Sequence, residues 1–222
     1  VAAKSTLEDR INDEYLGLGE IHKDLRRPIK EKNGFSIRGN LGLIDPFTGN
    51  LWDKYQIKIY IPFNYPHNIP STYELGKKID WKNENHIDSE GKCCLAPRLE
   101  EYIILGKEYF LIDYINKLVI PFFASHKLKE LRIDEGIGEY SHFGAGIIEY
   151  YEGKFGTKNI DTIIESLNIL SGKKHYERNE KCFCGSGEKY KNCHLKKLND
   201  YQIFDRRIFL EDLRDIEKIV NK

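Results

Sequence analysis

An excess of charge of either sign is missing from this sequence. Lys and Arg number 35, Asp and Glu also 35, and the formal net charge is zero. A neutral chain has no global attraction to nucleic acid or to an anionic membrane surface, so neither is expected as a partner. Long hydrophobic runs are missing as well, and the apolar stretches fall far short of the roughly 20 residues that span a bilayer. No basic-then-apolar leader opens the sequence, so the expectation is a cytoplasmic protein. Methionine is absent, which carries no functional meaning. Cysteine is scarce: five in 222 residues, an odd number that argues against a disulfide scaffold. Neither GxGxxG nor GxxxxGK[ST] occurs, which removes the common phosphate-cradling loops.

What is present is globular in character, with 40% hydrophobic and 12% aromatic residues. The length suits one full core and a small appendage. Residues 6–27 repeat apolar positions at helical spacing (Leu7, Ile11, Leu18, Ile21, Leu25), and Pro28 is expected to end that helix. Three strands follow. Phe35, Ile37, Leu41 and Leu43 mark the first, Tyr55, Ile57, Ile59 and Ile61 the second, and "TYELGKKI" the third. "YFLIDYINKLVIPFFASHKLKEL" reads as a long helix broken at Pro121. Helices are also expected around Ala145–Tyr151, over "NIDTIIESLNILSG" with Gly172 as its stop, and over the tail from Tyr201 to Lys222. Strands in sequence followed by helices give an α+β class.

The cysteines fall into two groups. Cys93 and Cys94 are adjacent, in "GKCCLAP"; Cys182, Cys184 and Cys193 lie far downstream. Neighbours in an extended chain point opposite ways, so one of the pair can be buried while the other faces a substrate.

"IPFNYPHNIPS" followed by "HIDSEGKCCL" resembles the core of the ubiquitin-conjugating enzymes. Tyr65–Pro66, Pro70, Gly91, Cys94 and Leu95 correspond to that pattern, and the likeness covers roughly residues 5 to 130. The eukaryotic pattern places His-Pro-Asn ending eight residues before the active cysteine. Here that position is His86, preceded by Asn85. This departure is similar to bacterial members of the superfamily, including those of antiphage operons that carry a cGAS-like nucleotidyltransferase (CBASS). The resemblance implies an antiparallel meander flanked by helices, a thioester on Cys94, and transfer of a partner's C-terminus to an amine. It implies the C-terminal tail of a cGAS-like nucleotidyltransferase as the partner, in antiviral defence. Lacking a nucleotide-binding loop, the chain would receive an acyl group activated elsewhere, or act on a partner it binds directly.

The thiolate is the nucleophile, and an ordinary cysteine is only a few per cent ionised near neutrality. His86 and Lys92 are the local cations that would raise that fraction. His86 is expected to orient the thiol or donate to the oxyanion, with a general-base role second. Cys93 leaves three readings open: a packing hydrophobe, a second acyl-carrying or resolving thiol, or half of a vicinal disulfide; the expectation is a tandem-cysteine catalytic site, Cys93 with Cys94, in which Cys94 is primary. A thiol redox role for the pair is weaker, because redox pairs usually have two residues between them. His142, between aromatics in "GEYSHFGAG", is excluded from the site.

"CFCGSGEKYKNCH" carries Cys182, Cys184, Cys193 and His194 as Cys-x-Cys, eight residues, then Cys-His. Three thiolates and an imidazole form a closed tetrahedral set suited to structural Zn²⁺. The string matches the SEC-C motif, known from the C-terminus of the SecA ATPase. Lys189, Lys191, Lys196 and Lys197 give it a basic face, read either as an adaptor surface or as part of a lid over the core. The expected organisation is a conjugating domain with a helical extension over residues 1–172 and the zinc module with its helix over 173–222. The first functional expectation is an E2-like cysteine-dependent acyl transferase. The alternative is an inactive adaptor that holds the same partner without chemistry.

Overall fold

The computed structural model describes residues 6–132 and 143–220; His142 lies outside them. The described residues divide into two compact units, 6–96 with 100–132 and 97–99 with 143–220. The helices at 143–155 and 160–170 therefore group with the cysteine-rich segment rather than with the N-terminal strands.

The first unit opens with helix α1, Leu7–Ile21. Thr6 caps it, its hydroxyl accepting from the Asp9 amide at 3.1 Å while the Asp9 carboxylate accepts from the Thr6 amide at 2.9 Å. Ile11 and Leu18 face inward and are fully buried. The helix stops well before Pro28. Residues 24–26 instead run beside the sheet, where the Arg26 amide donates to the Arg38 carbonyl at 2.7 Å. Pairing with a strand satisfies those main-chain groups as well as a further helical turn would.

Four strands follow, β1 (Ile29–Glu31), β2 (Gly34–Ile44), β3 (Leu51–Pro62) and β4 (Ser71–Glu74). They form an antiparallel sheet in the order β1-β2-β3-β4. The expected three-strand meander thus gains β1. Three residues are too few to show alternation, and β1 forms only because the turn at Lys32–Asn33 folds it onto Gly34–Ser36. Ile37 pairs with Ile59 and Phe35 with Ile61 across β2 and β3, so their apolar side chains share one face. That face and α1 meet Tyr114, Ile115, Val119 and Phe123 in one core, where the Tyr55 and Phe123 rings stack at 4.6 Å.

Helix α2, Arg98–Leu105, was not among the expected elements. Beyond it, α3 (Leu111–Tyr114) runs through a π-helical turn (Ile115–Val119) into α4 (Ile120–Glu130). Pro121 therefore does not break the helix. It occupies the first turn of α4, directly after the wide turn, which relaxes the clash a proline ring makes with the preceding helix.

The second unit holds α5 (Phe143–Phe155), α6 (Ile160–Leu170), α7 (Leu195–Asn199) and α8 (Arg206–Val220). The Asn159 side chain caps α6, accepting from the Thr162 amide at 2.9 Å. Gly172 follows the last turn in the left-handed region, with φ of 78°. α8 packs on α5 and α6 through Ile208, Phe209, Leu213 and Ile216. Asp212 is buried on the same helix face. It accepts from the Tyr151 hydroxyl at 2.7 Å and pairs with Arg98, which groups with this unit. No described helix is long and apolar enough to cross a membrane.

Candidate active site and metal centre

Cys93 and Cys94 lie on a short extended segment between two stretches of backbone. On one side, the Cys93 amide donates to the Thr72 carbonyl at 2.9 Å and the Glu74 amide to the Gly91 carbonyl at 2.8 Å. On the other, Ile87 bridges Cys93 and the Cys94 amide donates to the His86 carbonyl at 2.8 Å. Pairing on both edges holds the segment extended, and the alternation of an extended chain does the rest. Cys93 points into the core and is 5% exposed, while Cys94 is exposed. Burial pushes the Cys93 thiol up to about 12. No disulfide joins the two.

The turn before the segment is tightly specified. The Asp88 carboxylate accepts from the amides of Glu90 at 2.8 Å and Lys92 at 2.9 Å. Gly91 turns with φ of 83°, and a Cβ there would meet the Glu74 carbonyl oxygen at 2.6 Å and the Trp81 ring at 2.7 Å. Only glycine satisfies both demands. Trp81 is itself fixed by the buried Glu74 carboxylate, which accepts from its indole N–H at 2.6 Å and from the Lys77 amide at 2.9 Å.

His86 closes the 3₁₀ turn Asn83–Asn85 in the left-handed conformation, φ 52°. A non-glycine residue in that region is a local strain. Here the hydrogen bonds of its amide to Asn83 and of its carbonyl from Cys94 hold it. His86 and Cys94 are thus joined through their main chains. Lys92 is exposed on the turn.

A second imidazole, unmarked in the sequence reading, lies beside this turn. His126 of α4 hydrogen-bonds the Asn85 main chain and feels the charges of Lys129 and His86. Burial, reinforced by those neighbours, lowers it to about 4, so it is neutral at pH 7. Its ring meets Phe122 edge-on at 4.8 Å. No spacing rule links positions 40 residues apart, and only the packing of α4 brings the two together.

In the second unit, Cys182, Cys184, Cys193 and His194 converge. Cys184 Sγ lies 3.6 Å from Cys193 Sγ, and His194 Nδ1 lies 3.2 Å from Cys182 Sγ and 3.1 Å from Cys193 Sγ. All four ligand atoms fall within 4.8 Å of one another. Thiolates around a tetrahedral zinc, with bonds of about 2.3 Å, sit about 3.8 Å apart, so the set can hold such an ion. Local backbone builds it. Lys181 bridges Lys189, the Cys182 amide donates to the Glu188 carbonyl at 2.8 Å, and Gly185 and Gly187 turn with φ of 75° and 78°. Phe183 packs against the His194 ring at 4.9 Å. Lys189, Lys191, Lys196 and Lys197 are exposed around it.

The SEC-C motif matches residues 178–196, which contain Cys182, Cys184, Cys193 and His194. The protein translocase subunit SecA of Borrelia garinii subsp. bavariensis is 25% identical over 135 residues, covering 56% of this chain. The chain spans only 15% of that relative's length. What the sequence and structure establish together is an α+β chain that carries a SEC-C motif with a cysteine–histidine set able to hold a metal ion.

Proposed function

We propose that the first unit is a ubiquitin-conjugating-like acyl transferase acting through a thioester on Cys94. The observation that carries this reading is the opposite fate of two adjacent thiols, Cys94 exposed and Cys93 buried. An acyl carrier needs an accessible sulfur on a rigid backbone, and Cys94 has both. A helix followed by an antiparallel four-strand meander is also the order that the resemblance implies.

In this reading the Cys94 thiolate attacks the carbonyl carbon of an activated partner C-terminus. The donor's leaving group departs, and a thioester remains on sulfur. An amine then attacks that carbon, loses a proton to solvent, and expels the Cys94 thiolate. His86 donates to the oxyanion in both steps. Loss of one such donor typically slows catalysis by about 10²–10³-fold. Cys93, held as a thiol, packs beneath and takes no acyl group. The partner is the C-terminal tail of a cGAS-like nucleotidyltransferase in an antiphage operon.

The four ligands of the second unit hold a structural Zn²⁺. All four positions are filled by protein, so the ion supplies folding energy rather than hydrolytic chemistry. The exposed lysines around it favour a second reading, an adaptor that grips the same partner without forming a bond.

Co-expression with the nucleotidyltransferase separates the two. Mass spectrometry is expected to find an oxyester on Cys94→Ser, and a thiol-resistant conjugate with wild type that disappears in Cys94→Ala. A stable complex with no adduct in either protein would select the adaptor.

A further inference from the structure

The outer face of the sheet carries a cationic row that the chemistry at Cys94 does not use. Residues 24–26 run antiparallel to β2, with Leu25 bridging Gly39 and the Asn40 amide donating to the Asp24 carbonyl at 3.2 Å. The approach is close, since a Cβ on Gly39 would lie 2.1 Å from the Asp24 carbonyl oxygen. Arg26 therefore stands opposite Arg38, and Arg38 stands opposite Lys58 on β3. Side chains at matched register positions share a face. Three cations thus form one row across three neighbouring segments. The adjacent row on that face places Asn40 opposite Gln56.

Like charges directly opposite one another destabilise a strand pair. Compensation here is partial. Glu31 reaches Arg38 at 3.5 Å and adds an attraction to Lys58, whose ammonium also sits 4.4 Å from the centre of the Tyr73 ring. Asp24 is engaged by Lys54 at 2.6 Å. Arg26 has no salt bridge among the described residues. At this place a cleft of about 390 Å³ opens, lined by Asp24, Arg26, Arg38, Asn40, Gln56 and Leu75. The residues that line it carry two guanidinium forks and two primary amides. Guanidinium groups match phosphate oxygens in bidentate geometry, and the volume lies within the usual range for small-molecule sites.

We propose that this cleft binds a phosphate-bearing small molecule. Arg26 and Arg38 grip the phosphate, and the Asn40 and Gln56 amides donate to its remaining oxygens. The ligand relieves the repulsion that the strand register builds in. The site is independent of the acyl-transfer reading, because none of its residues belongs to the Cys94 segment.

The test is calorimetric titration of the full chain with inorganic pyrophosphate at low ionic strength, where surface charges are little screened. Saturable one-site binding is expected, with affinity at least tenfold lower in Arg26→Gln and in Arg38→Gln. Lys189→Gln and Cys94→Ala are expected to bind as wild type does, and citrate at least tenfold more weakly than pyrophosphate. Arg26→Lys keeps the charge and loses the fork, so its loss of affinity separates recognition from folding. Without ligand, Arg26→Gln is expected to melt no lower than wild type. The absence of saturable binding to wild type would overturn the proposal, as would equal binding by all variants or a preference for citrate. So would a single-stranded oligonucleotide bound through the same arginines that pyrophosphate does not displace.

Discussion

The amide of Cys94 donates to the carbonyl of His86 at 2.8 Å, which ties the exposed thiol to a residue eight positions earlier in the chain. This bond fixes where the sulfur can be. The His86 carbonyl is presented by a left-handed residue, and the Cys94 amide by a segment paired on its other edge with β4. Neither side can shift without breaking several hydrogen bonds at once.

The two thiols are expected to differ sharply in reactivity. Cys94 is exposed, whereas Cys93 is buried with its thiol pushed up to about 12, and the thiolate is the reactive form. Brief iodoacetamide treatment of the native protein at pH 8 will label Cys94 and spare Cys93. Peptide mapping checks this, and equal labelling would contradict the burial. Cys93→Ser is expected to destabilise by about 1–3 kcal/mol, because it buries a more polar hydroxyl whose shorter reach lengthens the contact that the thiol makes with the Gly91 carbonyl at 3.8 Å. Cys94→Ser is expected to stay within about 0.5 kcal/mol of wild type.

Gly91→Ala is expected to cost about 2–4 kcal/mol, combining a left-handed backbone with a collision against Glu74 and Trp81. Urea denaturation measures it. Because the strain falls between β4 and the turn, the thiol at Cys94 should also become less uniformly held, and its labelling kinetics should broaden from one phase to several.

His126 gives the first unit a pH dependence of definite sign. Its native form stays neutral down to about 4, whereas an unfolded histidine takes up a proton near 6.5. The unfolded chain therefore binds more protons between those values, and stability must rise with pH there. The contribution is complete above about pH 6.5 and is lost progressively as the pH falls toward 4. After discounting for partial exposure it amounts to about 2 kcal/mol at most. Thermal melts of wild type and His126→Gln at pH 7.5 and 5.0 isolate it. The wild type should lose more on acidification than the variant, and parallel losses would exclude this role.

Metal removal is expected to act on the second unit. Mercurial titration of the thiols should release one equivalent of zinc per chain. If the site holds zinc as proposed, chelation should then expose residues 178–196 to proteolysis, because a segment this small would draw its folding energy from the bound metal. Cys182→Ser should do the same without chelator. A stoichiometry near zero, with unchanged protease resistance, would remove the metal from this site.

The alternation of Tyr55, Ile57, Ile59 and Ile61 located β3, and the glycine at 172 located the end of α6, because both signals act over a few neighbouring residues. The clustering of Cys182, Cys184, Cys193 and His194 was legible for the same reason, since all fall within 13 consecutive residues, 182–194. β1 was not legible. Three residues cannot display a period, and the strand exists by virtue of its turn onto β2. Nor was the end of α1. Helical periodicity persists to Leu25, but pairing with β2 claims residues 24–26. Pro121 misled because a proline's effect depends on the turn before it, and here that turn is π-helical.

The sequence by itself determined the alternation of faces, the ligand spacing, and the fact that two adjacent thiols in an extended segment must point apart. Which thiol points inward is a different matter. That depends on which edge of the segment meets β4 and which meets the turn at His86, a choice made by residues 19 to 22 positions away, Thr72 and Glu74. The approach of His126 to that turn, and of Arg26 to Arg38, likewise arises only when distant segments are packed side by side. Local periodicity is encoded in neighbouring residues. Register and proximity are fixed by the lowest free energy of the whole chain, and no short stretch carries that information.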